Sequence, residues 1–189
     1  MEGLMRLKAM AKINLGLDVL GKREDGYHEV RMIMQTIRMY DILDIRKTRR
    51  PGIVLTTNLP FIPTDQRNLV YKAAQMLMEE FDVEEGLSIK LRKFIPVAAG
   101  MAGGSSDAAA AFVGVNRMFH LGLTEEQLME RAVKVGADVP YCIMRGTALA
   151  EGIGEKLTRL PEVPKCYVLI GKPGINVSTK TAYENLNLE

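Results

Sequence analysis

A chain of 189 residues and 21.0 kDa suits one fairly large domain, or one domain with part of a second. Lys and Arg number 25 against 23 Asp and Glu, and the resulting charge of +2 excludes a histone-like, polyanion-coating chain while leaving room for a local phosphate site. Cys142 and Cys166 form no metal or disulfide motif, no run reaches the roughly eighteen apolar residues of a membrane span, and the alternating start is no secretory signal, so a soluble cytoplasmic protein is expected.

From Leu7 to Val19 the odd positions are apolar (Leu7, Ala9, Ala11, Ile13, Leu15, Leu17, Val19), while Arg6, Lys8, Lys12, Asn14 and Asp18 fall on the other face. Period two predicts a strand with one wet or functional face. After a turn at Gly21–His28, a strand is expected over Val30–Ile37, then a charged edge strand near Leu43–Lys47, and a short one at Ile53–Thr57. The proline-bearing stretch 59–69 reads as a loop. Leu69, Ala73, Leu77 and Phe81 then recur every four residues and predict an amphipathic helix from about Asn68 to Glu80. Leu87, Ile89 and Leu91 alternate as a strand. A glycine loop next enters a helix that Ser105, Ser106 or Asp107 could cap, with alanines allowing close packing. Thr124 and Gln127 form a possible capping box for a helix to about Val135, ended by Gly136. The short stretch 137–142 follows, then strands near Thr147–Ala150 and Cys166–Ile170, and a helix start or ordered loop over Ser178–Asn187. No repeat is visible, and the order of elements predicts an α+β fold.

The strongest local signal is Pro96-Val97-Ala98-Ala99-Gly100-Met101-Ala102-Gly103-Gly104-Ser105-Ser106-Asp107. Glycines let successive N–H groups approach a ligand, and the following helix adds unpaired N–H groups and a positive dipole end. Phosphate therefore has a reason to bind here. The spacing is neither a Walker A loop nor a dinucleotide fingerprint, and a flexible loop with a tight helix–helix contact remains the plainer alternative. Lys12 and Asn14 sit together on the polar face of the first strand, either solvated or offering charge to a phosphate or carboxylate. Asp138, in Gly136-Ala137-Asp138-Val139-Pro140, is a helix cap or turn former, or else the carboxylate that a kinase needs to orient or deprotonate a hydroxyl. Tyr27 and His28 offer a ring to stack and a ring to hydrogen-bond beside a flexible turn, which would suit a base, although each has an ordinary structural role open to it. His120 reads only as a helix C-terminal residue favoured by the dipole.

Three separated motifs together resemble the GHMP kinase superfamily: Ala11-Lys12-Ile13-Asn14-Leu15 with Asp25-Gly26-Tyr27-His28; the loop from Pro96 to Ala109; and Gly136-Ala137-Asp138-Val139-Pro140, continued by Ala150–Glu155 and Lys172-Pro173-Gly174. The resemblance implies the superfamily's amino-terminal α+β domain, a mixed β-sheet with helices (ribosomal protein S5 domain 2-like), over 1–160. Residues 161–189 would begin a second, substrate-side lobe that the chain truncates. It also implies an ATP- and Mg2+-dependent transfer to an alcohol of a cytidine diphosphate derivative. No nucleic-acid partner is expected, since no basic stripe is interleaved with aromatics, and no membrane partner, since no apolar run is long enough to span. Lys12 and Asp138 match the catalytic pair, and Asn14 matches a contact near the reacting hydroxyl. Tyr27, His28 and Tyr183 match the cytosine-binding residues, with Thr179 near the substrate phosphates. Asn68 matches the adenine pocket; Pro96 to Ser106 would enclose the ATP phosphates, with Ser105 or Ser106 near magnesium. Ala102 stands where the family more often has glycine, so that position must accept an L-residue conformation. The alternatives are another GHMP kinase with a different alcohol, and a non-catalytic nucleotide-binding fragment.

Overall fold

The computed structural model describes residues 3–174 together with 182, 185 and 186. The first alternating stretch forms β1 (Met5–Lys22), antiparallel along its length to β2 (His28–Thr48). The ladder is irregular between Met10 and Lys12, Asn14 and Gly16, and Val19 and Gly21. A bulge inserts a residue and re-aims side chains. Here Ala11 and Lys12 are both buried, while Leu15 and Leu17 face solvent, so simple alternation holds only as far as Ala11.

β2 is one continuous strand, and its second half corrects the expected edge strand at Leu43–Lys47. Ile42–Ile45 lies between β1 and β4 (Gly86–Arg92), Arg46–Thr48 pairs with β4, and Val30–Gln35 pairs with β5 (Thr147–Gly152). The charges that suggested an edge occupy alternate positions: Leu43 and Ile45 are fully buried, while the Asp44 carboxylate is bridged by Arg6 of β1 at 2.6 Å and Arg92 of β4 at 2.9 Å. Opposite charges on neighbouring strands make the polar face compatible with an interior position. β3 (Ile53–Thr57) pairs parallel to β4, and β6 (Lys156–Arg159), which the sequence reading had passed over, closes a hairpin with β5. The sheet order is β3-β4-β2-β5-β6, with β1 on β2, so the α+β expectation holds.

Four helices complete the described architecture. α1 (Leu69–Glu80) starts where expected, because the Asn68 side chain accepts the Val70 N–H at 2.9 Å. α2 (Gly103–Met118) starts earlier than any of the three proposed caps. Its N-cap is Ala102, without a side-chain cap bond, and Ser106 instead donates to the Gly103 carbonyl. Ala108 to Ala111 and Phe112 are buried on it, and Gly114 lets it approach the sheet: a Cβ there would lie 2.4 Å from Ile45 and 2.7 Å from Leu7 side-chain carbons. α3 (Glu125–Ala132) has the full Thr124–Gln127 capping box and stops short of Val135, its Ala132 carbonyl accepting the Gly136 N–H. Residues Val139–Met144 form a further short helix, α4, where only a turn was expected, with Pro140 in its first turn.

The expected strand at Cys166–Ile170 is not formed. That segment has no regular structure, and Tyr167 and Leu169 are almost fully exposed. Period two yields a strand only where another backbone edge accepts it, and no ladder partner is present among the described residues. Cys142 is buried and Cys166 exposed, and both thiols are free. No helix among the described residues is long and apolar enough to cross a membrane.

Candidate active site

Where β1, the glycine loop, α2 and α4 meet, a cavity of about 1370 Å³ opens. The β1 bulge turns Lys12 inward to its wall, and the Lys12 N–H donates to the Met101 carbonyl at 3.2 Å, tying the strand to the loop. Lys12 Nζ lies 3.8 Å from Asp138 Oδ2 and donates to Asn14 Oδ1 at 3.1 Å. Only 6% of the lysine side chain is exposed against 32% of the aspartate, so the ammonium is desolvated while the carboxylate remains reachable from the cavity. Asp138 occupies the N-cap position of α4 but makes no side-chain cap bond. Its carboxylate is therefore free of the structural duty that the motif also allowed. Asn14 is further held by its amide against Met32 Sδ at 3.6 Å.

The glycine loop supplies a further part of the lining. Pro96 through Ser105 all line the cavity. Ala98, Gly100 and Ala102 have φ of 53°, 69° and 51°, so every second residue is left-handed. Alternation of this kind turns successive N–H groups to one side and makes an anion-binding concavity, here leading into the N-terminus of a sixteen-residue helix. Met101 anchors the loop from behind, packed with Ala11 and Ile95. Ser105 faces the cavity; Ser106 is buried, absent from its lining, and commits its hydroxyl to Gly103 at 2.9 Å. Ala102 tolerates the conformation that its sequence position demanded. Ala102→Gly is expected to change unfolding free energy by no more than about 1 kcal/mol, since relief of left-handed strain is offset by a freer unfolded chain. Denaturant titration checks this; a loss well above that size would mean that the methyl packing carries the loop.

Asn68, Tyr27 and His28 also line the cavity. Asn68 accepts from Val70 and donates to the Pro63 carbonyl at 2.7 Å, so it fixes the 63–70 bend and retains one lone pair and one N–H for another partner. The turn before β2 is built on Asp25, which accepts from Arg23 and from the Tyr27 N–H at 3.1 Å. It presents Tyr27 at the rim with 60% of its surface exposed. Thr179 and Tyr183 lie outside the described residues.

Beneath the loop sits a group of which the sequence reading named only Asp107, as a cap and the last residue of the loop motif. Lys93 Nζ donates to Asp41 and, at 2.6 Å, to Asp107 Oδ2, and all three are buried. Burial pushes the Asp107 carboxyl well above the usual carboxylate range, against the opposing pull of the Lys93 charge. Alternation carried the signal: Lys93 continues the buried series Leu87, Ile89, Leu91, and Asp41 precedes the buried pair Leu43 and Ile45. Among the described residues no cluster of three His, Cys, Asp or Glu side chains is arranged to hold a metal ion.

The left-handed glycine loop feeding a helix and the lysine–aspartate pair line one cavity, an arrangement with the chemistry to hold an anion. Residues 68–146 match the GHMP kinases N terminal domain, and the chain belongs to the GHMP kinases. Within that family it is 57% identical over 183 residues to 4-diphosphocytidyl-2-C-methyl-D-erythritol kinase of Lachnospira eligens, covering 97% of this chain. It is 58% identical over 186 residues to the kinase of the same name from Lachnoclostridium phytofermentans, covering 98% of this chain. The chain spans 64% of the length of each of these relatives. A crystal structure of 4-(cytidine 5'-diphospho)-2C-methyl-D-erythritol kinase superposes with a TM-score of 0.81 at 32% identity, over 97% of this chain and 65% of that one. Homoserine kinase from Cytophaga hutchinsonii shares the fold, with a TM-score of 0.75 at 19% identity over 100% of this chain and 62% of that one.

Proposed function

We propose that this chain is the nucleotide-binding part of an ATP-dependent kinase that phosphorylates the 2-hydroxyl of 4-diphosphocytidyl-2-C-methyl-D-erythritol, in cytoplasmic non-mevalonate isoprenoid precursor synthesis. The observation that carries this reading is the 3.8 Å approach of Lys12 to Asp138 in the cavity that the glycine loop also lines. The loop N–H groups hold the triphosphate, with Asn68 on the adenine side. Asn14 orients the substrate hydroxyl. Asp138 accepts its proton as the oxygen attacks the γ-phosphorus and the bond to the β-phosphate oxygen breaks, leaving ADP. Lys12 keeps that carboxylate charged and offsets the charge on the transferring group. Phosphoryl transfer needs little covalent help, so positioning and electrostatics are most of what these side chains supply.

Magnesium fits this arrangement in its usual manner, through phosphate oxygens and one or two protein oxygens rather than an all-protein cage. Ser105 faces the cavity and would supply such an oxygen; Ser106 is buried outside the lining. When bound, the ion would supply positive charge against the phosphates. Residues 1–160 constitute the ATP-binding domain in this reading, and 161–189 begin the substrate-side lobe, to which Thr179 and Tyr183 contribute phosphate and cytosine contacts.

A coupled ADP-release assay with 4-diphosphocytidyl-2-C-methyl-D-erythritol, with CTP and homoserine as comparison acceptors, tests the assignment. Turnover on homoserine alone would assign a different alcohol. The shorter span relative to the relatives favours one second reading: a domain that binds nucleotide without turnover, recognised by ATP-analogue binding with no ADP release. Tyr27→Ala tests base recognition. It removes a stacking ring worth about 1–3 kcal/mol, so substrate affinity is expected to fall roughly 5- to 150-fold while ATP-analogue affinity stays put. Separate titrations decide, and equal losses for both ligands would assign Tyr27 to folding.

A further inference from the structure

We propose that Lys93, held between Asp41 and Asp107, is a positioning group that clamps both ends of the glycine loop at the separation which a nucleoside triphosphate's phosphates require. This deepens the proposed function and rests on it for the identity of the ligand. The clamp is built from three elements. Asp41 comes from the interior strand β2 and grips the loop entrance twice over: one carboxylate oxygen takes Lys93, and the other takes the N–H groups of Phe94 and, at 2.8 Å, Ile95. Asp107 comes from the second turn of α2 and takes the same ammonium at 2.6 Å, which fixes the loop exit. Gly103, the first residue of α2, lies directly over that ammonium; a Cβ there would be 3.2 Å from Lys93 Nζ.

Two features argue that this cluster does more than hold the core together. Two carboxylates share one buried ammonium, and Asp107 Oδ1 is buried with no hydrogen-bond partner. Apolar side chains would often fill such a volume with equal or greater stability, because desolvation offsets most of what a buried ion cluster contributes. An orphaned buried oxygen calls for a further reason. The loop provides it. Ala98 and Ala102 are left-handed without being glycine, and strained residues persist only where the surroundings over-determine them. Anchors at Phe94–Ile95 and at Gly103–Asp107 bracket these strained positions. Lys93 and Asp107 also line the cavity, so the clamp forms the floor under the phosphate cradle.

Asp107→Ala leaves Lys93 paired with Asp41, so no buried charge is stranded, yet it releases α2 from the loop. Thermal unfolding is expected to stay close to the parent. Amide exchange over residues 97–104, measured without nucleotide, should become about tenfold faster as the loop opens locally. Affinity for AMP-PNP should fall by less than that factor, because it follows the fraction of loops left competent, which drops only as the open form becomes well populated. Asp107→Asn keeps an acceptor for Lys93 and should restore both readings. Should Asp107→Ala not fold, Asp41→Asn loosens the grip on Lys93 from the other side and should accelerate exchange at 101–104 while Phe94 and Ile95 remain protected. Unchanged exchange in a folded Asp107→Ala protein overturns the clamp, as does an Asp107→Asn variant that behaves like the alanine. The exchange reading needs no nucleotide, whereas failure of the parent chain to bind AMP-PNP counts against the nucleotide assignment itself.

Discussion

Asp138→Asn is expected to bind ATP analogue and substrate as the parent does while losing about 10²–10⁴-fold in kcat, the scale of a general base. The amide keeps the size of the carboxylate and one acceptor, but it neither takes up the hydroxyl proton nor supplies negative charge beside Lys12, 3.8 Å away. Since the carboxylate makes no cap bond to α4, the substitution should cost the fold little, which separates loss of chemistry from loss of structure. A loose transition state gains less from early proton removal, so a loss near the lower end would indicate orientation of the hydroxyl more than its deprotonation. Measurement of kcat at saturating concentrations of both substrates, with unfolding temperature as control, decides between these. Turnover at the parent rate would remove Asp138 from the mechanism.

Lys12→Ala is expected to lower kcat by about 10²–10³-fold, the range for removal of one preorganised charge or donor at a developing negative centre. The cause differs from that in Asp138→Asn. Without the ammonium, Asn14 Oδ1 loses its 3.1 Å donor and Asp138 its counter-charge, so the hydroxyl-facing groups lose both position and field. Residues that act as a unit give non-additive losses, and Lys12→Ala/Asp138→Asn should be little slower than the worse single variant. Multiplication of the two separate losses would mean that the side chains work independently. Lys12 is almost fully buried, so near-parental unfolding must accompany any kinetic interpretation.

The parts of this protein legible in its sequence are those governed by short-range rules. Asn68 capping α1, the Thr124–Gln127 box opening α3, and the alternating strands at Ile53–Thr57 and Leu87–Leu91 each depend on neighbours within a few residues. Gly-rich spacing before an alanine-rich helix likewise marks a loop where backbone can approach an anion, whatever surrounds it. What lay beyond those rules was decided by partners distant in the chain. Leu43–Lys47 read as an edge because its charges are visible locally, whereas Arg6 and Arg92, which accommodate Asp44 in an interior strand, are not. Cys166–Ile170 has the pattern of a strand but no neighbouring edge among the described residues, and pattern without a ladder leaves Tyr167 and Leu169 in solvent. Lys12 reached the cavity through a bulge in the β1–β2 register, and a bulge is a property of two strands, not of one. The Asp41–Lys93–Asp107 cluster is the extreme case. Period two, extended past the expected strands, could have marked the first two as facing inward, but burial of one ammonium between two carboxylates from β2 and α2 exists only once the sheet and helix have packed, because desolvation makes each charge depend on the others being present.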